Sequence, residues 1–129
     1  VAVAAIPESA EFYVGHLGYT VESPIIHDPR QTAFVQFFRL AGDTAYLELV
    51  APDGPDSKLA AAVRKGGGLN HVCYAVADIE AAMTQLDSIE MTTLCPPVPA
   101  VAFPGRRIAW LRGNHLAIEL VEAGKAGQL

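Results

Sequence analysis

The sequence predicts an α+β protein: two tandem βαβββ modules forming one curved, half-open mixed sheet with helices on the outside. Three observations carry this expectation. Segments late in the chain repeat segments near its start, in the same order. Short apolar runs of strand length recur around one amphipathic helical stretch per copy. A triple glycine at Gly66, Gly67 and Gly68 separates the copies. Repetition of this kind marks units that complete a core only by pairing.

The repeat is read from three matches. Val1-Ala2-Val3-Ala4-Ala5-Ile6 lies over Tyr74-Ala75-Val76-Ala77-Asp78-Ile79, an offset of 73. The same offset lays Gly18-Tyr19-Thr20-Val21 over Met91-Thr92-Thr93-Leu94. An offset of 71 lays the run from Phe37 to Val50 over the run from Ile108 to Val121, with Glu-Leu-Val coinciding at the end. The chain is then a single domain: module one at 1–51, a connector at 52–68, module two at 69–122 and a frayed tail at 123–129.

In module one, residues 1–6 read as a short strand. Pro7 suits the first turn of a helix, where its missing N–H is no loss. Ala10, Tyr13, Val14 and Leu17 mark one helical face, and Gly18 closes the helix in the left-handed conformation. A strand is expected over 19–26, a turn at His27-Asp28-Pro29-Arg30, and a strand over 32–40. Gly42-Asp43 makes a hairpin into a strand over 45–50, and residues 52–55 break the pattern. Ser57 is expected to cap a connector helix that the glycines stop.

Module two opens with a strand over 69–76. Asp78 caps a helix with Ile79, Ala82, Met83 and Leu86 on its apolar face. A strand is expected over 91–95. The proline-rich stretch at 96–105 is a loop or an edge, because proline cannot donate to a central ladder. A strand over 106–111, a turn at Gly113-Asn114 and a strand over 115–122 complete the copy.

Composition narrows the class. The net charge of −5 leaves no basic footprint for nucleic acid. No apolar run is long enough to span a bilayer and no signal segment is visible, so no membrane partner is expected. Cys73 and Cys95 lack metal-knuckle spacing and read as free packing thiols of a reducing, cytoplasmic setting.

Glu48 and Glu119 occupy the same slot in the two copies, each inside an apolar strand. Burying a carboxylate there is costly unless it is paired, hydrogen-bonded or on a metal. Strand alternation puts Glu48 on a face with Tyr46 and Val50, and Glu119 with Ala117 and Val121. His71 begins the strand that opens module two. One imidazole and two carboxylates suit one divalent ion such as Zn, Ni, Co, Mn or Fe. By the repeat, the first-copy partner of His71 falls three residues before Val1, so a fourth ligand is expected upstream of Val1. His16, His27 and His115 are weaker candidates. Arg106 and Arg107 suit bidentate capture of a phosphate or carboxylate. Phe103 and its loop are placed to cover a cavity, and Trp110 reads as core.

The segments from Gly68 to Ile79, from Gly105 to Leu111 and from Leu116 to Val121 resemble the vicinal oxygen chelate superfamily of glyoxalases, methylmalonyl-CoA epimerases, extradiol dioxygenases and bleomycin-resistance proteins. The resemblance spans nearly the whole chain. Together with Pro52-Asp53-Gly54-Pro55-Asp56-Ser57, they look most like the methylmalonyl-CoA epimerase branch. The resemblance implies four metal ligands on strands, three landing on Glu48, His71 and Glu119, the fourth being a histidine upstream of Val1. Epimerases usually carry glutamine where Glu48 stands, whereas glyoxalases with a His/Glu pair per module match it directly. The glyoxalase Asp-Pro-Asp-Gly motif is replaced by Arg112-Gly113-Asn114. Epimerases use a second glutamate base near the position of Gln36, where Val35-Gln36-Phe37-Phe38 offers no carboxylate.

The implied function is metal-dependent, epimerase-like proton transfer next to a carbonyl, on an acyl-CoA thioester or similar small molecule. Glu119 is implied as ligand and base, with Glu48 as a ligand able to exchange into that role. Gln36, Phe103, Arg106 and Arg107 are the expected substrate contacts, and a homodimer is implied. The alternatives are a non-catalytic, antibiotic-type binding protein of the same fold, a glyoxalase I or an extradiol dioxygenase.

Overall fold

A computed structural model describes residues 1–113, 115–125 and 128–129 of the chain. It divides into two compact units, Val1–Asn70 and His71–Leu129. Each carries its own four-stranded sheet with a helix on one face. Among the described residues, no helix is long and apolar enough to cross a membrane.

In the first unit, helix α1 (Ile6–Leu17) has a proline in its first turn and ends at Gly18 with φ +80°. The strand expected over 1–6 contracts to a bridge at Ala2, parallel to Val50 and antiparallel to Gly68, because the helix already starts at Ile6. The single strand expected over 19–26 is instead two, β1 (Thr20–Val21) and β2 (Ile26–Asp28), both antiparallel to β3 (Ala33–Arg39). The break falls at Pro24, which has no N–H to donate. Ser23 repairs the ladder there, its Oγ accepting the Phe37 N–H at 3.0 Å.

His27 therefore lies in β2, not in a turn. The turn comes after it, where the buried Asp28 carboxylate accepts from the backbone N–H groups of Arg30 and Gln31 at 3.1 Å each. Strand β4 (Leu47–Pro52) pairs antiparallel with β3, starts two residues later than expected and ends at Pro52, the first residue of the expected break. Ile6, Phe38, Leu49 and Ala51 form the core under α1.

The connector helix α2 (Ala60–Arg64) has no side-chain cap. Ser57 sits short of the cap position, donating to the Thr32 carbonyl at 2.6 Å and accepting from the Leu59 N–H at 3.1 Å. The glycines then bring the chain beside Ala2, bonded through Ala2 N–H to Gly68 O at 2.8 Å and back at 2.9 Å. A Cβ on Gly67 would stand 2.4 Å from the Ala2 carbonyl oxygen, at a φ of +70° that disfavours side chains. Glycine is required there by contact as well as by conformation.

The second unit contains β5 (His71–Val76), α3 (Ile79–Asp87), β6 (Thr92–Pro99), β7 (Arg107–Arg112) and β8 (Ala117–Glu122), in sheet order β5-β8-β7-β6. Asp78 caps α3 as expected, accepting from the Ala81 N–H at 2.9 Å. Ile79 is buried with Ala109, Leu111 and Leu120, and Ala82, Met83 and Leu86 pack onto them. Each fully buried Leu or Ile of this kind contributes about 1.5–3 kcal/mol. Strand β6 extends through the prolines because it is an edge, with two register shifts against β7. Asn114 of the predicted turn lies outside the described residues; Gly113 N–H bonds Leu116 O at 3.2 Å.

Strand registers confirm the duplication and correct its offsets. The parallel bridge of Ala2 to Val50 has its counterpart in the pairing of Ala75 with Val121. The last strand keeps the offset of 71, since Glu48 opposes Phe37 and Glu119 opposes Trp110. Phe37 is thus equivalent to Trp110 rather than to Ile108, an offset of 73 instead of 71. The second hairpin is two residues shorter, and ungapped reading of the sequence hides that. On the outer strands Thr20 opposes Arg39 and Thr92 opposes Arg112, an offset of 72 instead of 73. That offset superposes Pro24 on Pro96: the first outer strand breaks at its proline, whereas β6 runs on through Pro96 with a register shift between Cys95 and Val98.

Candidate functional site

Side chains alternate along a strand, so register decides which residues share a face. In the second unit His71 is in register with Ala117, Cys73 with Glu119, and Glu119 with Trp110. His71, Trp110 and Glu119 therefore share the face opposite α3. His71 Nε2 stands 3.3 Å from Glu119 Oε2, with both side chains only 6% exposed. The His71 and Trp110 rings meet edge to face, centroids 4.7 Å apart at 70°. The indole Nε1 is buried and has no hydrogen-bond partner among the described residues.

Such an arrangement can hold a cation or move a proton. A carboxylate this buried costs several kcal/mol unless something compensates it, and the adjacent imidazole at 3.3 Å is one group that does so. One nitrogen and one oxygen donor converge on one spot, which fits a borderline divalent ion.

In the first unit Glu48 is half-buried on β4, directly opposite Phe37. Its neighbour Leu49 points into the core under α1, so Glu48 lies on the face away from that helix. Each glutamate thus faces away from its own unit's helix.

The other expected site residues fall elsewhere. Gln36 opposes Leu49 and shares the helix-side face of Phe38. Its Nε2 donates to the Ser23 carbonyl at 3.0 Å, supporting the break in the outer strand. Gln36 is therefore turned away from Glu48.

Arg107 is two residues before Ala109 and shares its α3-side face, opposite His71 and Glu119. It donates Nη1 to Glu80 Oε1 at 2.6 Å and Nη2 to Glu80 Oε2 at 3.1 Å. It also bonds Glu122 Oε1 through Nε at 3.0 Å and Nη2 at 2.7 Å. Those bonds hold both carboxyls below the usual glutamate range and push the guanidinium pKa up. Its planar fork is closed by two carboxylates of its own unit, so it does not stand ready for a substrate anion.

Arg106 lies over the buried Phe103 ring, 5.0 Å from its centroid, and donates to the backbone carbonyls of Glu122 and Leu129. Phe103 and Arg106 are thus packed against each other. Among the weaker candidates, His27 meets Asp53 at 2.9 Å on the surface, and His16 lies in the last turn of α1. Trp110 was read from the sequence as core, yet it lies beside His71 and Glu119. The available signal was its place two residues from Ile108 in a strand facing Glu119, which needs the corrected register.

The glyoxalase/bleomycin resistance protein/dioxygenase superfamily model matches residues 1–110. Human mitochondrial methylmalonyl-CoA epimerase is 32% identical over 98% of this chain and 70% of its own length. The ethylmalonyl-CoA/methylmalonyl-CoA epimerase of Cereibacter sphaeroides is 30% identical over 95% of this chain and 90% of its own. The crystal structure of methylmalonyl-CoA epimerase from Mycobacterium tuberculosis is similar at TM-score 0.83 and 25% identity, covering 95% of this chain and 83% of that one.

Proposed function

The chain belongs to the glyoxalase/bleomycin resistance protein/dioxygenase superfamily, and from that premise we propose that it is a divalent-metal-dependent epimerase of 2-substituted acyl-CoA thioesters. The observation that carries this reading is the buried contact of His71 Nε2 with Glu119 Oε2 at 3.3 Å. Relatives named as epimerases of methylmalonyl-CoA and ethylmalonyl-CoA support the substrate class.

His71 and Glu119 would hold the ion, with Glu48, at the repeat-equivalent slot, proposed as a third ligand. The ion, when bound, supplies Lewis-acid polarisation of the thioester carbonyl and so acidifies the adjacent carbon. Glu119 is the assigned base. Its carboxylate takes the C2 proton and later releases it to solvent, while a water on the opposite face of the planar enolate supplies the returning proton, so the composition is unchanged and the configuration inverted. Glu48 is able to exchange into the base role. Arg107 takes no part, because Glu80 and Glu122 already occupy it.

The test is metal analysis of the purified protein followed by deuterium uptake at C2 of methylmalonyl-CoA in D₂O. Stoichiometric divalent metal and chelator-sensitive exchange are expected; absence of both would sink the proposal. A second reading, a metal-independent binding protein of the same superfamily, is favoured by Gln36, which brings no second carboxylate base and spends its amide on Ser23. Ligand-induced thermal stabilisation that is indifferent to chelator would select it.

A further inference from the structure

Trp110 is the only tryptophan in the chain, and neither the fold nor the proposed chemistry uses its N–H. A buried donor without an acceptor is destabilising, and buried indole N–H groups usually find a partner. Here Nε1 has none among the described residues. The ring opposes Glu119 across β7 and β8 and lies against His71.

The repeat separates two reasons for an indole at this position. The equivalent residue in the first unit is Phe37, which opposes Glu48 in the same register and is buried. Aromatic packing against the glutamate strand is thus met by a ring with no donor. The N–H is an addition confined to the unit that also carries the imidazole.

We propose that the Trp110 indole is a substrate-binding group, its Nε1–H donating to a carbonyl or carboxylate oxygen of the bound acyl group beside His71 and Glu119. The proposal rests on the acyl-CoA reading above. A neutral donor suits this place. It adds no charge next to Glu119, and its hydrogen bond strengthens as negative charge builds on the accepting oxygen during proton removal.

A single tryptophan gives a single indole N–H resonance, so the contact can be read directly. Uniformly ¹⁵N-labelled protein loaded with Zn²⁺ is titrated with malonyl-CoA and, separately, with CoA, which lacks the acyl oxygens. A downfield move of the indole proton with malonyl-CoA alone is expected. No move, or the same move with CoA, overturns the proposal. Trp110→Phe keeps an aromatic ring, as at the equivalent Phe37, and deletes the donor. It should lower kcat/KM for C2 deuterium exchange by about tenfold, the loss expected for one hydrogen bond to a charge-developing oxygen, while metal content stays unchanged. Unaltered exchange in that variant would also overturn it. If the wild type shows no exchange but its indole responds to malonyl-CoA, the epimerase reading falls and the binding contact stands.

Discussion

The two units solve the same corner in opposite ways. In the second, Arg107, Glu80 and Glu122 lock the start of β7, the first turn of α3 and the end of β8 together by charge. The corrected offsets place Phe34, Pro7 and Ala51 at those positions in the first unit. There the same corner is an apolar cleft of about 390 Å³, also lined by Ala4, Ala5, Ile6, Ile25 and Pro52. The other sheet face reverses the contrast: the first unit presents Phe37 and a half-buried Glu48, the second Trp110, His71 and a buried Glu119. One template therefore sets strand order and the glutamate slot in both copies. What fills each slot is free to diverge, because a register position constrains direction and space but not chemistry.

The largest expected difference between the copies is catalytic. Glu119→Gln should reduce C2 deuterium exchange by about 10²–10⁴, the range for loss of a positioned general base. Glu48→Gln should cost about tenfold or less, since a glutamine at that slot still offers one oxygen ligand. Equal losses in the two variants, measured side by side on folded protein, would erase the asymmetry.

Helix capping sharpens the comparison at intermediate size. Ala5 and Asp78 are repeat-equivalent N-cap residues with similar extended backbones, φ −149° and −136°. Only Asp78 accepts an N–H from its helix. Asp78→Ala should lower unfolding stability by about 1 kcal/mol, and Ala5→Asp should raise it by up to a similar amount. Urea denaturation of the two variants checks both signs; destabilisation by Ala5→Asp would mean that the cleft, not the missing cap, governs that position.

The smallest effect concerns pH. Hydrogen bonds from Arg107 depress the Glu80 and Glu122 carboxyls from the ordinary value of 4.5. Their contribution is therefore complete above about that pH and is lost as pH falls through the depressed values. All three side chains are solvent-accessible, so the contribution is small and sensitive to salt. Arg107→Met should narrow the stability gap to wild type in acid and leave it constant near neutrality, as followed by thermal unfolding across pH. A gap that grows on acidification would refute the assignment.

The glutamate slots were legible early because Glu48 and Glu119 sit in near-identical strands. Asp78 was legible as a cap because an aspartate before an apolar helical face acts on its own next residues. Gln36 and Arg107 were expected as substrate contacts, and the structure engages each with partners of its own unit. Gln36 is one residue from Phe37 and Arg107 three from Trp110, and these odd spacings turn both to the helix side of their strands. The proline stretch at 96–105 was readable as edge or loop, and only pairing with β7 showed that its first part is strand.

What the sequence determined by itself is local or repeated: a duplicated βαβββ unit, one glutamate per copy, an N-cap, and glycines where the backbone must turn. What tertiary structure alone decided is which residues meet across strands. Trp110 beside His71, and Arg107 between two glutamates, follow from the β5–β8 and β7–β8 registers and a hairpin two residues shorter in the second copy. Such long-range hydrogen bonding selects one pairing among several that the chain's local preferences allow, and each one-residue change in register sends a side chain to the other face.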